Sequence, residues 1–208
     1  MARLAADWQY RLVREIRRKA IHLTGLSVPF GILVFGKAFT AAMIALALGI
    51  ALLLEAGRLN GKIRLPEVRE HEAGKVAGYI YYIIGSLLTV FLFTPPIAVL
   101  SMLLLSLGDT VSGLVGSVLQ NSNVRGKKEP WRVKPLPIVA AMLSACVLIG
   151  YLSSGLTHLP FRVYLAGAIG ATVADSVAVV LFGRSLDDNL SIPLFSGILM
   201  SAALLLLG

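Results

Sequence analysis

The chain has 208 residues, 57% of them hydrophobic and 14% charged, with a formal net charge of +8. Soluble domains carry roughly 25% charged residues, so this composition excludes an ordinary soluble globule and points to a membrane protein. The single cysteine, Cys146, excludes an intramolecular disulfide, and with only three histidines there is no close Cys/His cluster for zinc.

Residues 1–21 read as a basic amphipathic helix, with Leu4, Trp8, Leu12 and Ile16 recurring every fourth residue and arginines between them. It is expected along the membrane surface, basic face toward anionic headgroups. No cleavable leader is expected, because the first apolar run starts only after about 20 residues. Residues 22–208 read as one transmembrane bundle. Apolar segments close to the roughly 20 residues that cross a bilayer recur at about 22–36, 38–54, 76–94, 96–119, 135–153, 162–182 and 190–207. The expected fold is therefore all-α, a polytopic membrane helical bundle of about seven transmembrane helices behind an N-terminal amphipathic helix.

In that arrangement 17 of the 19 Lys and Arg residues fall on one side, and only Lys37 and Arg162 on the other. Basic connections mark the cytoplasmic face, which puts the N-terminus in the cytoplasm and the C-terminus outside. The same asymmetry makes a positive field that concentrates phosphate-bearing ligands.

Asp109, in "LLLSLGDTVSGLVGSVLQ", and Asp175, in "GAIGATVADSVAVVLFG", lie inside apolar segments. A carboxylate there costs about 2.5–3.5 kcal/mol on insertion scales, so each needs a partner or a cavity. Gly108, Ser112 and Gly116 recur every fourth residue, which suits either a helix-packing seam or close approach of a ligand. Glu15, Arg18, Lys19 and His22 share one or two turns of helix, and a surface ion pair between Glu15 and Lys19 is the plain alternative. Carboxylates gathered with lysines and arginines beside a membrane have the inventory of a Mg²⁺ and polyphosphate site. No phosphate-cradling glycine loop, dinucleotide fingerprint or nucleophile elbow occurs. No nucleic-acid partner is expected, because the basic residues are tied to membrane connections.

These residues resemble the CTP-dependent lipid-alcohol kinases: dolichol and polyprenol kinases, phytol and farnesol kinases, and a diacylglycerol kinase that uses CTP. "EIRRKAIH" is similar to the family's opening signature through Glu15, Arg18, Lys19 and His22, and "HEAGKVAGYIYYIIG" is similar to its second through Glu72, Gly78 and Tyr79. "GDTVSGLVG" and "GKK" resemble its nucleotide signature through Gly108, Asp109, Ser112, Gly116, Lys127 and Lys128. The ending matches through Asp175, Asp188, Asn189, Leu190 and Pro193. The chain departs from the pattern at Gln120 and at Glu129, Pro130 and Trp131, and Asp175 stands where glutamate is common.

The resemblance implies transfer of the terminal phosphate of CTP to the hydroxyl of a dolichol, polyprenol or shorter isoprenoid alcohol, at the cytoplasmic face and with Mg²⁺. Asp109, Asp188 and Asp175 are then expected at the metal, one of the first two serving instead as base, and His22 is expected to orient a carboxylate or take the alcohol proton. Arg18, Lys19, Lys127, Lys128 and Lys134 would hold phosphates, with Ser112 and Gly116 beside the nucleotide. Asn189 would read the nucleotide or cap a helix, Glu15 and Glu72 would support the site, and Asp187 is expected as a cap. The alternatives are a CTP-dependent diacylglycerol kinase, a cytidylyltransferase making a CDP-lipid, and a small membrane transporter.

Overall fold

The structure, a computed structural model, describes residues 4–63, 74–119, 133–177, 180–181 and 184–207. Glu72, Lys127 and Lys128, together with Gln120 and residues 129–131, lie outside the described residues.

Nine helices succeed one another among the described residues: α1 (Trp8–His22), α2 (Ser27–Phe35), α3 (Lys37–Leu59), α4 (Gly78–Leu92), α5 (Pro95–Leu103), α6 (Asp109–Val118), α7 (Leu136–Thr157), α8 (Phe161–Ser176) and α9 (Asp188–Leu207). Each apolar segment read from the sequence contains a helix among the described residues, and the all-α membrane bundle holds. In hydrocarbon the backbone must satisfy its own polar groups, and a helix does so within one segment. Four helical stretches are long and apolar enough to cross a bilayer: α3, the continuous stretch from α5 through α6 (Pro95–Val118), α7 and α9. Leucines on their outer faces, such as Leu53, Leu152 and Leu205, are exposed and suit hydrocarbon contact.

Three segments differ from the sequence expectation. The run at 22–36 is broken, because α1 continues to His22 and a 3₁₀ turn over Leu23–Leu26 redirects the chain into the nine-residue α2. The run at 162–182 stops being helical at Ser176, and Val180–Leu181 pairs antiparallel with Arg184–Ser185. The run at 96–119 contains a π turn over Leu104–Gly108, immediately before Asp109. Such a turn rotates the downstream helix relative to an unbroken one, and π turns recur at functional sites.

The core lies where α5, α7, α8 and α9 meet, around fully buried Leu100, Met102, Leu104, Met142 and Ile192. The most extensive interface joins α8 to α9. It is built on Gly167, Gly170 and Ala171 of α8, and Gly170 rests against the Phe195 backbone. Small residues permit that approach, and without a hydrophobic force between helices in lipid, close packing supplies the attraction. It also aligns the C-terminal end of α8 with the N-terminal end of α9.

Candidate functional site

Asp109 opens α6, Asp175 is the penultimate residue of α8, and Asp188 opens α9. The fold brings these three ends together, so that one carboxylate oxygen of each lies within 4.8 Å of the other two. Asp109 follows the π turn within the continuous Pro95–Val118 stretch, and Asp188 stands at a helix N-terminus, where the macrodipole favours negative charge. Asp175 stands at a C-terminus, where it does not, and there a lysine is supplied. Lys134 Nζ donates to Asp175 Oδ1 at 2.7 Å. Its backbone is held by Lys134 N–H donating to Ser176 O at 2.9 Å. Ser112 Oγ donates to the other Asp175 oxygen at 2.7 Å, so α6 and the segment leading into α7 both grip this fully buried acid.

The third wall is α1. Its inward face carries Glu15, Lys19 and His22, not the apolar stripe read from the sequence: Ile16 and Val13 are exposed and Leu12 is half-buried. Lys19, 2% exposed, pairs with Asp109 Oδ2. Burial pushes the Lys19 ammonium below the usual lysine range, and the Asp109 charge opposes that shift. His22 Nε2 sits 3.3 Å from the same Asp109 oxygen and 3.3 Å from Leu105 O, a carbonyl of the π turn. Glu15 accepts from Arg18, with Nε at 3.0 Å. Glu15 and Lys19 lie directly on Gly113, where a Cβ would collide with both side chains. The chain before α1 and the first turn of α1 are strapped to the end of α6, with Ala5 N–H donating to Val118 O at 2.9 Å and Arg11 Nη1 to Leu119 O at 3.2 Å.

The other expected residues take these places. Gly108 packs against Cys146 and Met142 of α7, so at that position the small-residue stripe is a packing seam. Gly116 is buried on α6. Asp187 Oδ1 accepts from Asn189 N–H at 3.0 Å, the bond of an N-cap. Asn189 Nδ2 donates to Gly78 O at 3.3 Å and ties the start of α9 to the start of α4. Two hydroxyls that the sequence did not single out, Ser176 and Ser191, are buried without a hydrogen-bond partner among the described residues, each within three positions of a site aspartate.

Glu55 also lies at this end. It accepts from Arg58 Nε at 2.8 Å and Nη2 at 2.7 Å, from Ala77 N–H at 2.8 Å and from Tyr79 Oη at 2.7 Å. Arg58 lies three residues away on α3, but the partners at the start of α4, Ala77 and Tyr79, are more than 20 residues away and left no sequence signal.

Three close carboxylates repel one another. At 4.8 Å and an effective dielectric constant of about 20 each pair costs about 3.5 kcal/mol. Hard oxygen donors crowded in this way suit a divalent cation such as Mg²⁺, and lysines beside them suit phosphate oxygens.

No protein-family model and no solved structure matches the chain. Among curated proteins, it is 28% identical over 220 aligned residues to CTP-dependent diacylglycerol kinase 1 of Schizosaccharomyces pombe, covering 92% of this chain and 94% of that protein. This end-to-end likeness, added to the motifs, supports the CTP-dependent lipid kinases as the family of this membrane protein.

Proposed function

We propose that the protein transfers the terminal phosphate of CTP to the hydroxyl of a membrane lipid alcohol. The acceptor is a diacylglycerol, as in the relative's name, or an isoprenoid alcohol such as dolichol or polyprenol. The observation that carries this reading is the convergence of Asp109, Asp175 and Asp188 within 4.8 Å, with Lys19 and Lys134 bound to two of them. The site end is the cytoplasmic face on the distribution of basic residues, since Lys37, one of the two exceptions, caps the opposite end by donating to Phe93 O at 2.8 Å.

The three aspartates would hold Mg²⁺, which when bound would neutralise charge on the phosphates. Lys19 and Lys134 hold the carboxylates in place and present cations to the phosphates, and Arg18 adds a guanidinium at the outer edge. In the transfer, the alcohol oxygen bonds to the terminal phosphorus as the bond to the bridging oxygen breaks. CDP leaves with that electron pair, and the alcohol proton passes to the Asp109–His22 pair. Little else is required of the protein, because phosphoryl transfer is accelerated mainly by positioning and charge stabilisation.

The test is purified protein in lipid vesicles with CTP labelled at the γ-phosphate, offered 1,2-diacylglycerol, polyprenol, geranylgeraniol and phytol. The expected result is labelled lipid phosphate with release of CDP. Release of pyrophosphate identifies a cytidylyltransferase instead, and transfer to none of the alcohols removes the assignment.

A further inference from the structure

An apolar groove of about 520 Å³ runs down the side of the bundle between α2, α3 and α4. That volume lies within the range of small-molecule sites. One end carries hydroxyls, from Thr24, Ser27 and Tyr82, and the other carries the rings of Phe35 and Phe39. From Thr24 to Phe35 the helical rise spans about 17 Å. The groove is open to the side, for Phe30, Phe35, Phe39 and Met43 are half or more exposed on helices whose outer faces are apolar.

Its hydroxyl end adjoins the aspartate site through Tyr82 and His22. Tyr82 lies against Gly25, where any Cβ would collide with its phenol, and its Oη is 3.2 Å from Ser106 Oγ in the π turn. The Tyr82 ring meets the edge of His22 at a centroid distance of 5.1 Å, and His22 touches Asp109. A chain of side-chain contacts therefore links an aromatic, lipid-facing trough to the carboxylates; hydroxyls gather toward the inner end, and along the trough Thr40 and Ser86 donate theirs to Gly36 O and Tyr82 O. That is the polarity of an amphiphile with one hydroxyl.

We infer that this groove holds the hydrocarbon chain of the acceptor alcohol, with the hydroxyl delivered past Tyr82 to His22 and Asp109. The inference rests on the proposed function and names the surface that reaction uses. Bilayer chains are as apolar as the groove, so entering it adds little affinity per carbon. What it contributes is a fixed depth and direction of approach for the hydroxyl. Because it is open to the side, it does not measure the tail: the part of a long chain beyond Phe35 and Phe39 stays in the bilayer. Tyr82 is a positioning residue at the mouth.

Ala47 lines the groove from an exposed position on α3, so a large side chain there obstructs the trough without entering the core. Ala47→Trp is expected to lower kcat/KM for the alcohol at least about tenfold and to leave equilibrium binding of radiolabelled CTP unchanged. A value within about twofold of the unaltered protein overturns the inference. The unaltered protein provides a second reading, in phosphatidylcholine vesicles carrying a diazirine-bearing 1,2-diacylglycerol or a diazirine-bearing polyprenol. The label is expected on α2 and α3 and is displaced by excess unlabelled alcohol. Label that alcohol does not displace marks an ordinary bilayer lipid, and absence of label from α2 and α3 marks a groove covered by something else, such as a second copy; either overturns the inference. Asp109→Asn separates the two claims. It should lower transfer about 10²- to 10³-fold while keeping displaceable label, whereas transfer within about twofold of the unaltered protein removes the proposed function whatever the groove holds.

Discussion

Glu55 and the three aspartates stand at the same end of the bundle, and the contrast between them separates a carboxylate that builds from carboxylates gathered at the proposed cation site. Glu55 sits alone with one arginine, and its two oxygens accept four hydrogen bonds from Arg58, Ala77 and Tyr79. It clasps the end of α3 to the start of α4. The aspartates instead come from three helices to within 4.8 Å of one another. Their lysines, Lys19 and Lys134, reach in from α1 and from the segment leading into α7. One arrangement is charge-balanced and saturated with donors. The other concentrates like charge in a buried place, at a cost that the proposed cation would offset.

The largest expected effect falls on the aspartates. Asp109→Asn and Asp188→Asn should each lower kcat by about 10²- to 10³-fold, the scale seen when one preorganised electrostatic group is removed, as measured by transfer of labelled phosphate to lipid. Glu55→Gln should leave the dependence of kcat on divalent cation concentration unchanged, and a shift in that dependence would blur the distinction between the two centres. Next comes Lys19→Met, which leaves the buried Asp109 charge without its lysine and should destabilise the fold by about 3–5 kcal/mol. Thermal unfolding in detergent should show the double variant Lys19→Met with Asp109→Asn to be more stable than Lys19→Met alone. Glu55→Gln ranks below it at about 1–3 kcal/mol, because the amide turns donors toward donors. Asp187→Ala removes only the cap of α9 and should cost about 1 kcal/mol in the same assay.

Much of this site was legible because packing alone gives no reason for a carboxylate inside an apolar run. Asp109 and Asp175 stood out on that ground, while Asp188, at the edge of one, needed the resemblance for its role. The pairing of Lys19 with Asp109 was not legible. Ninety positions separate them, and the helical spacing of α1 suggested Glu15 as the partner of Lys19. The apolar stripe of α1 was equally visible but faces outward, since Glu15, Lys19 and His22 find acids and small residues on α6 and the stripe finds none. The π turn before Asp109 left no mark, as no residue type requires it. Tyr82 read as one aromatic among several in "GYIYYIIG", and only its contact with Gly25 and His22 gives it a place. The early end of α8 at Ser176 was hidden because the apolar run continues through Val177, Val179 and Leu181.

The central claim is that the three aspartates form one cation site, and its most direct test is Mn²⁺ binding by electron paramagnetic resonance, with Mn²⁺ standing in for Mg²⁺ and CTP present. The account predicts binding by the unaltered protein and by Glu55→Gln, and loss of that binding in Asp109→Asn, Asp175→Asn and Asp188→Asn. Equal binding in the unaltered protein and in all three aspartate variants would contradict it.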